Sequence, residues 1–342
     1  MVTKRVVLTG GAGYIGSHTL LELLALDHEV CVLDSFASSS PEALARVRKL
    51  AGREFAVERA DVRDERALER IFRSFKPDAV IHFAGLKAVG EGEAKPVAYY
   101  DVNVAGTLNL LKSMAVSECP RIIFSSSATV YGDPEYCPLD EAHPCRPASV
   151  YGRTKYVAEQ ILFDWAKSTP GSSAIVLRYF NPVGAHESGQ IGEDPQEIPN
   201  NLMPFIAQVA IGLRQKLAIF GDDYDTRDGT GLRDYIHVLD LARAHVDALN
   251  YAYRHTTVSD IFNLGSGSGA TVREMLAAYE RACGRNLPFE VVPRRPGDVA
   301  ASVADPSKAG KLLDWRTRHT LEDMCSSSWN WQSKNPTGYL SS

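Results

Sequence analysis

Three glycines set the strongest limit on what this chain can fold into. The run Lys4-Arg5-Val6-Val7-Leu8-Thr9 is followed by Gly10-Gly11-Ala12-Gly13-Tyr14-Ile15-Gly16 and then by Ser17-His18-Thr19-Leu20-Leu21-Glu22-Leu23-Leu24. The pattern reads as a buried strand, a glycine turn and an apolar-striped helix. Gly10, Gly13 and Gly16 match a dinucleotide fingerprint with its strand before and its helix after. The first glycine permits a tight turn, the second lets backbone approach a pyrophosphate, and the third lets the helix pack on the sheet. The pyrophosphate would meet free N–H groups at the helix start, around Tyr14 and Ile15. A second strand, Glu29-Val30-Cys31-Val32-Leu33, ends in Asp34, whose carboxylate can hold the ribose hydroxyls of an adenosine. No arginine follows Asp34 closely to take a 2′-phosphate, so NAD is expected rather than NADP.

The same texture repeats along the first half. Apolar strand candidates at Val6–Leu8, Val30–Leu33, Phe55–Glu58, Ala79–Phe83, Arg121–Phe124 and Ile175–Leu177 alternate with segments of helical period such as Glu65–Phe75 and Tyr99–Met114. Such alternation implies right-handed crossovers and a doubly wound parallel sheet. After Asn181-Pro182-Val183-Gly184 the composition changes, and 185–201, rich in Gly, Pro, Glu, Asp and Asn, reads as a loop leaving the first unit. The expectation is an α/β protein: an NAD-binding Rossmann domain over 1–180, a smaller α/β substrate domain over 181–342, and a return of 234–264 to the sheet.

A catalytic pair is offered by Ser-Val-Tyr151-Gly-Arg-Thr-Lys155, where Tyr151 and Lys155 stand one helical turn apart on one face. A phenol has a pKa of about 10. An ammonium about 5 Å away, at an effective dielectric near 20, would favour the phenolate by roughly 3 kcal/mol. Tyr151 is therefore expected to serve as general base for a hydroxyl proton. In open α/β sheets ligands sit outside the carboxyl ends of the strands. Asp61 follows the third strand, Phe83-Ala84-Gly85-Leu86-Lys87 the fourth, and Ser125-Ser126-Ser127-Ala128-Thr129 the fifth. The small residues after strand four allow a flat ring to lie close. Ser127 could hydrogen-bond a substrate oxygen beside Tyr151, and Asn103 could fix the preceding helix against the site. Serines at a strand end also serve as turn and cap residues.

Charge and composition exclude several classes. At 342 residues with a net charge of −5 the chain has ample core and no nucleic-acid footprint; its longest Lys/Arg run is a pair. No apolar stretch approaches membrane-spanning length, and the N-terminus runs directly into a strand rather than a signal peptide. Six scattered cysteines at 31, 119, 137, 145, 283 and 325, without a Cys-x-x-Cys pair, read as reduced thiols of a cytoplasmic protein. Nothing suggests a metal.

The Thr-Gly-x-x-Gly-x-x-Gly turn, the serine and Tyr-x-x-x-Lys together resemble the extended short-chain dehydrogenase/reductase family. Within it the runs His82–Glu91, Ser125–Tyr131, Arg178–His186, Asn200–Pro204 and Gly231–Val238 are similar to those of UDP-glucose 4-epimerases. The resemblance runs from residue 4 to about 340. It implies a bound NAD, touched by Gly10, Gly13, Tyr14, Ile15, Gly16, Asp34, Ser35, Ser38, Ser39, Asp61, Val62, Phe83, Ala84, Gly85, Lys87, Asn103, Ser127, Tyr151, Lys155 and Phe180. It implies a UDP-sugar held by Lys87, Ser127, Ala128, Thr129, Tyr151, Asn181, Asn200, Asn201, Leu202, Ala218, Ile219, Phe220, Arg233, Tyr235, Arg295, Asp298 and Ser302. Tyr151, Lys155 and Ser127 would be catalytic, and a homodimer built on Tyr99–Met114 and Tyr156–Trp165 is expected. Two departures stand out. Ser35-Phe36-Ala37-Ser38-Ser39 follows Asp34 where relatives often place asparagines, and Ser302 stands where some relatives carry a tyrosine, which leaves room for a 2-acetamido group. A 4,6-dehydratase or a reductase on the same scaffold is the nearest alternative, but dehydratases carry Asp-Glu where this chain has Ala128-Thr129. A non-catalytic NAD sensor would typically lose the tyrosine or the lysine, and both are present.

Overall fold

The large sheet is buried on both faces, and the side chains show why. Successive strand residues point to opposite sides, and in β1 (Arg5–Thr9) Val6 and Leu8 enter one apolar cluster while Val7 enters another. The computed structural model describes residues 3–340, apart from Glu197, Thr256, Pro296 and the side chain of Leu340. After β1 come α1 (Tyr14–Ala25), β2 (Glu29–Asp34), α2 (Pro41–Ala51), β3 (Ala56–Arg59), α3 (Glu65–Phe75) and β4 (Ala79–His82). Val30 and Val32 face one cluster, Cys31 and Leu33 the other. That leaves no polar alternation and favours parallel pairing between helical layers. The caps are local: the Ser40 hydroxyl accepts from Glu42 N, Pro41 opens α2, and Gly52 ends it at a φ of 62°.

Two short helices, α4 (Val89–Ala94) and α5 (Pro96–Tyr100), lead into a π-helical stretch, Asp101–Ala105, and then α6 (Gly106–Val116). The helix expected over Tyr99–Met114 is thus interrupted by a wide turn, in which Asn103 is buried against Leu86 and Thr154. β5 (Arg121–Ser127), α7 (Val150–Ser168), β6 (Ser173–Tyr179) and β7 (Asn181–Val183) follow. Then come α8 (Leu202–Ala210), β8 (Leu217–Phe220), β9 (Leu232–Arg233), β10 (Tyr235–His237), α9 (Val238–Arg254) and β11 (Ser259–Leu264). The remainder comprises β12 (Ala270–Thr271), α10 (Val272–Cys283), β13 (Phe289–Val292), β14 (Ala301–Ser302), α11 (Ser307–Leu312) and α12 (Leu321–Lys334).

The seven-stranded sheet runs β11-β6-β5-β4-β1-β2-β3, every pair parallel. The strand order reverses between β1 and β4, so the crevice for a ligand opens at their carboxyl ends. The segment after Asp234 reaches this sheet by way of α9 and β11, which pairs with β6. Tyr235–His237 itself stays outside the sheet, in a two-stranded parallel ladder with Asn181–Val183. A further apolar cluster gathers α8, α10 and α12 with β8 and includes Met203, Ile206, Ile219, Met275, Tyr279 and Met324. Small ladders, β8 with β13 and β12-β9-β14, edge it.

Candidate active site

The glycine turn fits a dinucleotide by what it cannot accommodate. Gly10 has a φ of 69°, and a Cβ there would lie 2.7 Å from Ala84 N. A Cβ on Gly16 would lie 2.3 Å from Gly10 O. Gly13 is the N-cap of α1 without a side-chain cap, so the first N–H groups of the helix stay available for an anion. Asp34 is fixed at the end of β2: Oδ2 accepts from Ala12 N at 2.9 Å, and Oδ1 from Phe36 N and the Ser39 hydroxyl, each at 2.9 Å. Arg59 lies opposite Asp34 in the β2–β3 register, but its guanidinium faces the Phe36 ring at 5.9 Å. A carboxylate at this strand end favours ribose hydroxyls over a 2′-phosphate. Ser35 Oγ accepts from Ala37 N, and Ser38 is exposed. Asp61 is taken by Arg63, which also reaches Asp101. Val62 packs where a Cβ on Gly106 would meet it at 2.6 Å. Tyr14 donates its hydroxyl to Gly184 O at 2.6 Å.

The reacting groups converge at the end of β5. Ser127 ends the strand and caps the next turn, its Oγ accepting from Thr129 N at 3.2 Å and from the Thr129 hydroxyl at 3.0 Å. Tyr151 lies in the first turn of α7, where the Ser127 hydroxyl favours the ionised form of its phenol. Ser149 caps that helix by accepting from Gly152 N at 3.0 Å. Lys155 is buried, and its Nζ donates to Ser125 O at 2.8 Å. Gly85 stands beside it: a Cβ there would sit 3.0 Å from Asn103 Oδ1 and 3.6 Å from Lys155 Nζ. Asn103 ties three pieces together. Its Oδ1 accepts from Leu86 N at 2.8 Å, and its Nδ2 donates to Leu86 O at 3.0 Å and to Thr154 Oγ1 at 2.9 Å. Phe83 rests on His245 with centroids 4.5 Å apart, and Phe180 is buried beside Val130 and Tyr131.

The electrostatics correct one sequence expectation. Burial pushes the Tyr151 phenol up to about 12, and the Ser127 hydrogen bond offsets this only in part. Lys155 does not bring it down. Its Nζ lies 5.9 Å from the Tyr151 ring centroid and is turned to Ser125 O, and burial lowers its own pKa to about 8. Desolvation of both groups outweighs their helical spacing. His82, whose ring nitrogens meet Thr9 Oγ1 at 2.7 Å and Thr107 Oγ1 at 3.1 Å, is pushed down to about 3 by burial and stays neutral.

Across the cleft, the residues expected to grip a diphosphate and base come together. Arg295 stacks over Phe220 at 4.5 Å and donates to Asp298 at 3.0 Å, while Arg233 Nη2 lies 3.7 Å from the other Asp298 oxygen. Ser302 is paired with Arg233 in the β9–β14 register. Asn181 donates to Asp234 O at 2.8 Å. Asn201 is the N-cap of α8 with no side-chain cap bond, and Leu202 is its first helical residue; Asn200 is exposed. Ala218 is half-buried on β8, next to Ile219 and Phe220. Ile219 and Tyr235 depart from expectation: both side chains are buried in the smaller cluster, where they serve packing. Lys87 is largely exposed and pairs with Glu193 at 3.2 Å. Ala128 and Thr129 form the turn after Ser127.

Sequence reasoning missed two buried groups. Asp234 accepts from Ser266 N and Oγ, Gly267 N and Ala304 N, and so locks the end of β9 that carries Arg233. Glu159 and Arg178 form an ion pair beneath the three serines. A carboxylate one turn beyond Lys155 on a face that also carries Tyr151 was the available signal for Glu159. Among the described residues no group of His, Cys, Asp and Glu is placed to hold a metal.

A doubly wound parallel sheet with a glycine turn at its switch point and Ser, Tyr and Lys beyond β5 defines an extended short-chain dehydrogenase/reductase. A family model described as GDP-mannose 4,6 dehydratase matches residues 7–328. UDP-glucose 4-epimerase of Homo sapiens is 50% identical, covering 99% of this chain and 99% of its own length. UDP-glucose 4-epimerase 4 of Oryza sativa subsp. japonica is 51% identical over 99% of this chain and 93% of its own. The crystal structure of UDP-glucose 4-epimerase from Bifidobacterium longum in complex with NAD+ and UDP superposes with a TM-score of 0.94 at 50% identity, covering 98% of this chain and 99% of that one. The chain belongs to the UDP-glucose 4-epimerase family.

Proposed function

We propose that this protein inverts carbon 4 of the hexose in a UDP-sugar, interconverting UDP-galactose and UDP-glucose with tightly bound NAD. The observation that carries the reading is the convergence of Ser127 at the carboxyl end of β5 with Tyr151 in the first turn of α7 and Lys155 buried one turn on. Gly10–Gly16, Asp34, Gly85 and Asn103 are the residues that would hold the dinucleotide. Bound there, NAD supplies a hydride acceptor for the hydrogen on carbon 4, and the positive charge of its oxidised ring favours a phenolate nearby. Tyr151 takes the proton of the sugar 4-hydroxyl as carbon 4 gives up its hydride, and returns a proton to the same oxygen when the hydride re-enters carbon 4 from the opposite face. Ser127 holds the reacting oxygen in line with Tyr151. Arg233 and Arg295 grip the diphosphate by charge-assisted hydrogen bonds, while the sugar, held less tightly, turns over as a 4-keto group.

Incubation with UDP-galactose and no added nucleotide should yield UDP-glucose. A dehydratase would give a 4-keto-6-deoxy product and a sensor nothing, and either result overturns the reading. A run in heavy water sharpens it: deuterium on the inverted carbon would rule out a hydrogen that leaves and returns within the site.

Ser302 supports a wider range. Its small side chain beside Arg233 leaves room for an acetamido group, so UDP-N-acetylglucosamine and UDP-N-acetylgalactosamine are proposed as a second substrate pair. Ser302→Tyr should suppress turnover of that pair and spare UDP-galactose. Val97, Tyr100 and Leu108 are exposed apolar residues lining a shallow depression of about 590 Å³ along α5 and α6, which supports a homodimer through this face. No helix among the described residues is long and apolar enough to cross a membrane; a cytoplasmic location is proposed. The 1–180 and 181–342 division, with the return of 234–264, is likewise the reading offered for the two domains.

A further inference from the structure

We propose that Glu159 is a positioning residue for this chemistry: clamped between Ser126 and Arg178, it locks α7 to the ends of β5 and β6 and sets its carboxylate one helical turn from Lys155. The inference rests on the functional reading above and deepens it. Glu159 has no exposed surface. Its Oε1 accepts from the Ser126 hydroxyl and, at 3.0 Å, from Arg178 Nε; its Oε2 accepts from Arg178 Nη2 at 2.6 Å. Arg178 in turn lies 4.9 Å from the Tyr131 ring centroid, and Tyr131 donates to Asn263 on β11 at 2.6 Å. One carboxylate therefore ties the catalytic helix to both strands that border it.

A buried ion pair is costly to assemble and contributes less to stability than apolar packing of the same volume would. Its position suggests the compensating use. Residues four apart share a helix face, so Glu159 presents its charge to Lys155 from one turn below. The other groups around Lys155 cannot replace it. His82 on β4 is neutral, Tyr151 and Tyr179 carry phenols that burial keeps protonated, and Ser125 offers only a carbonyl. Arg178 is a cation and so offers no negative charge in Glu159's place. The Glu159 carboxylate opposes the burial that drives Lys155 toward its neutral form.

The test is the titration of Lys155 itself, read by NMR on full-length protein labelled with carbon-13 at the lysine ε position, with the signal assigned by its loss in Lys155→Met. Glu159→Gln keeps the shape and should move the Lys155 midpoint down by about one pH unit or more. The alkaline limb of kcat should move with it. Glu159→Gln/Arg178→Gln also removes the guanidinium that the single variant would leave without its partner, and so guards against loss of folding; its midpoint should likewise fall below that of the wild type. Ser126→Ala removes a hydrogen bond without a charge and should lower the melting temperature while leaving the midpoint in place. A folded Glu159→Gln or double variant whose Lys155 midpoint matches the wild type overturns the proposal. Because the titration needs no turnover, a protein inactive on UDP-galactose would overturn the functional reading alone.

Discussion

Tyr151 is where two physical effects compete and the tertiary one prevails. Helical spacing places an ammonium near the phenol, yet burial of both groups raises the phenol and lowers the amine. At pH 7 the protein's own groups therefore leave Tyr151 protonated, since a pKa of about 12 means the proton is released only far above neutrality. The apparent Tyr151 pKa should fall when NAD binds, which an ultraviolet difference titration of cofactor-free against NAD-loaded protein would show; equal values would refute the assignment of NAD's charge to this role. Tyr151→Phe should cost about 10²–10⁴-fold in kcat, the usual range for a lost acid–base group, with the melting temperature nearly unchanged. The pair was legible in sequence because its spacing is local. Its titration was not, because desolvation depends on what other segments pack over it.

At the scale of elements, the turn between β1 and α1 makes two roles separable. A Cβ on Gly16 would meet a carbonyl at 2.3 Å, whereas one on Gly13 meets only that same carbonyl, at 3.2 Å. Gly16→Ala should therefore destabilise the folded chain by about 1–3 kcal/mol, visible in denaturant unfolding without cofactor. Gly13→Ala should leave that unfolding curve close to wild type and still weaken NAD binding, measured by calorimetry. If both variants lose stability equally, the division of roles is wrong. The strands of the large sheet were readable from their apolar runs, and α3 begins and ends where its periodicity places it. The π-helical turn at Asp101–Ala105 was not. It arises where Asn103 must reach Leu86 and Thr154 at once, a demand made by two distant segments.

For the whole molecule, four buried histidines from different segments couple the fold to pH. Burial pushes His18 and His82 down to about 3 and His237 and His245 down to about 4. An unfolded histidine binds its proton near pH 6.5, so as pH falls below that point the unfolded chain gains protons the native one refuses. The stability these residues contribute is complete above about pH 6.5 and is lost progressively down to about pH 3, the His237 and His245 share by about pH 4. The melting temperature should drop across that window; a flat profile would contradict the burial. The apolar face of α5 and α6 makes a second prediction at this scale. Leu108→Glu should convert a dimer to a monomer by sedimentation with UDP-galactose turnover retained at each site, and an unchanged sedimentation coefficient would remove that face from consideration.

What the sequence determined by itself was local and periodic: strands with no polar alternation, a turn only glycine can make, a tyrosine and a lysine one turn apart. Those patterns imply a parallel sheet and its switch point because backbone sterics and burial act within a few residues. Only the tertiary structure decided that β11 closes the sheet beside β6, that Asp234 and Glu159 are buried anchors, and that Arg233, Arg295 and Phe220 meet around Asp298. Each of these joins segments far apart in the chain. Their energies come from desolvation and contact between surfaces that do not exist until the chain has folded.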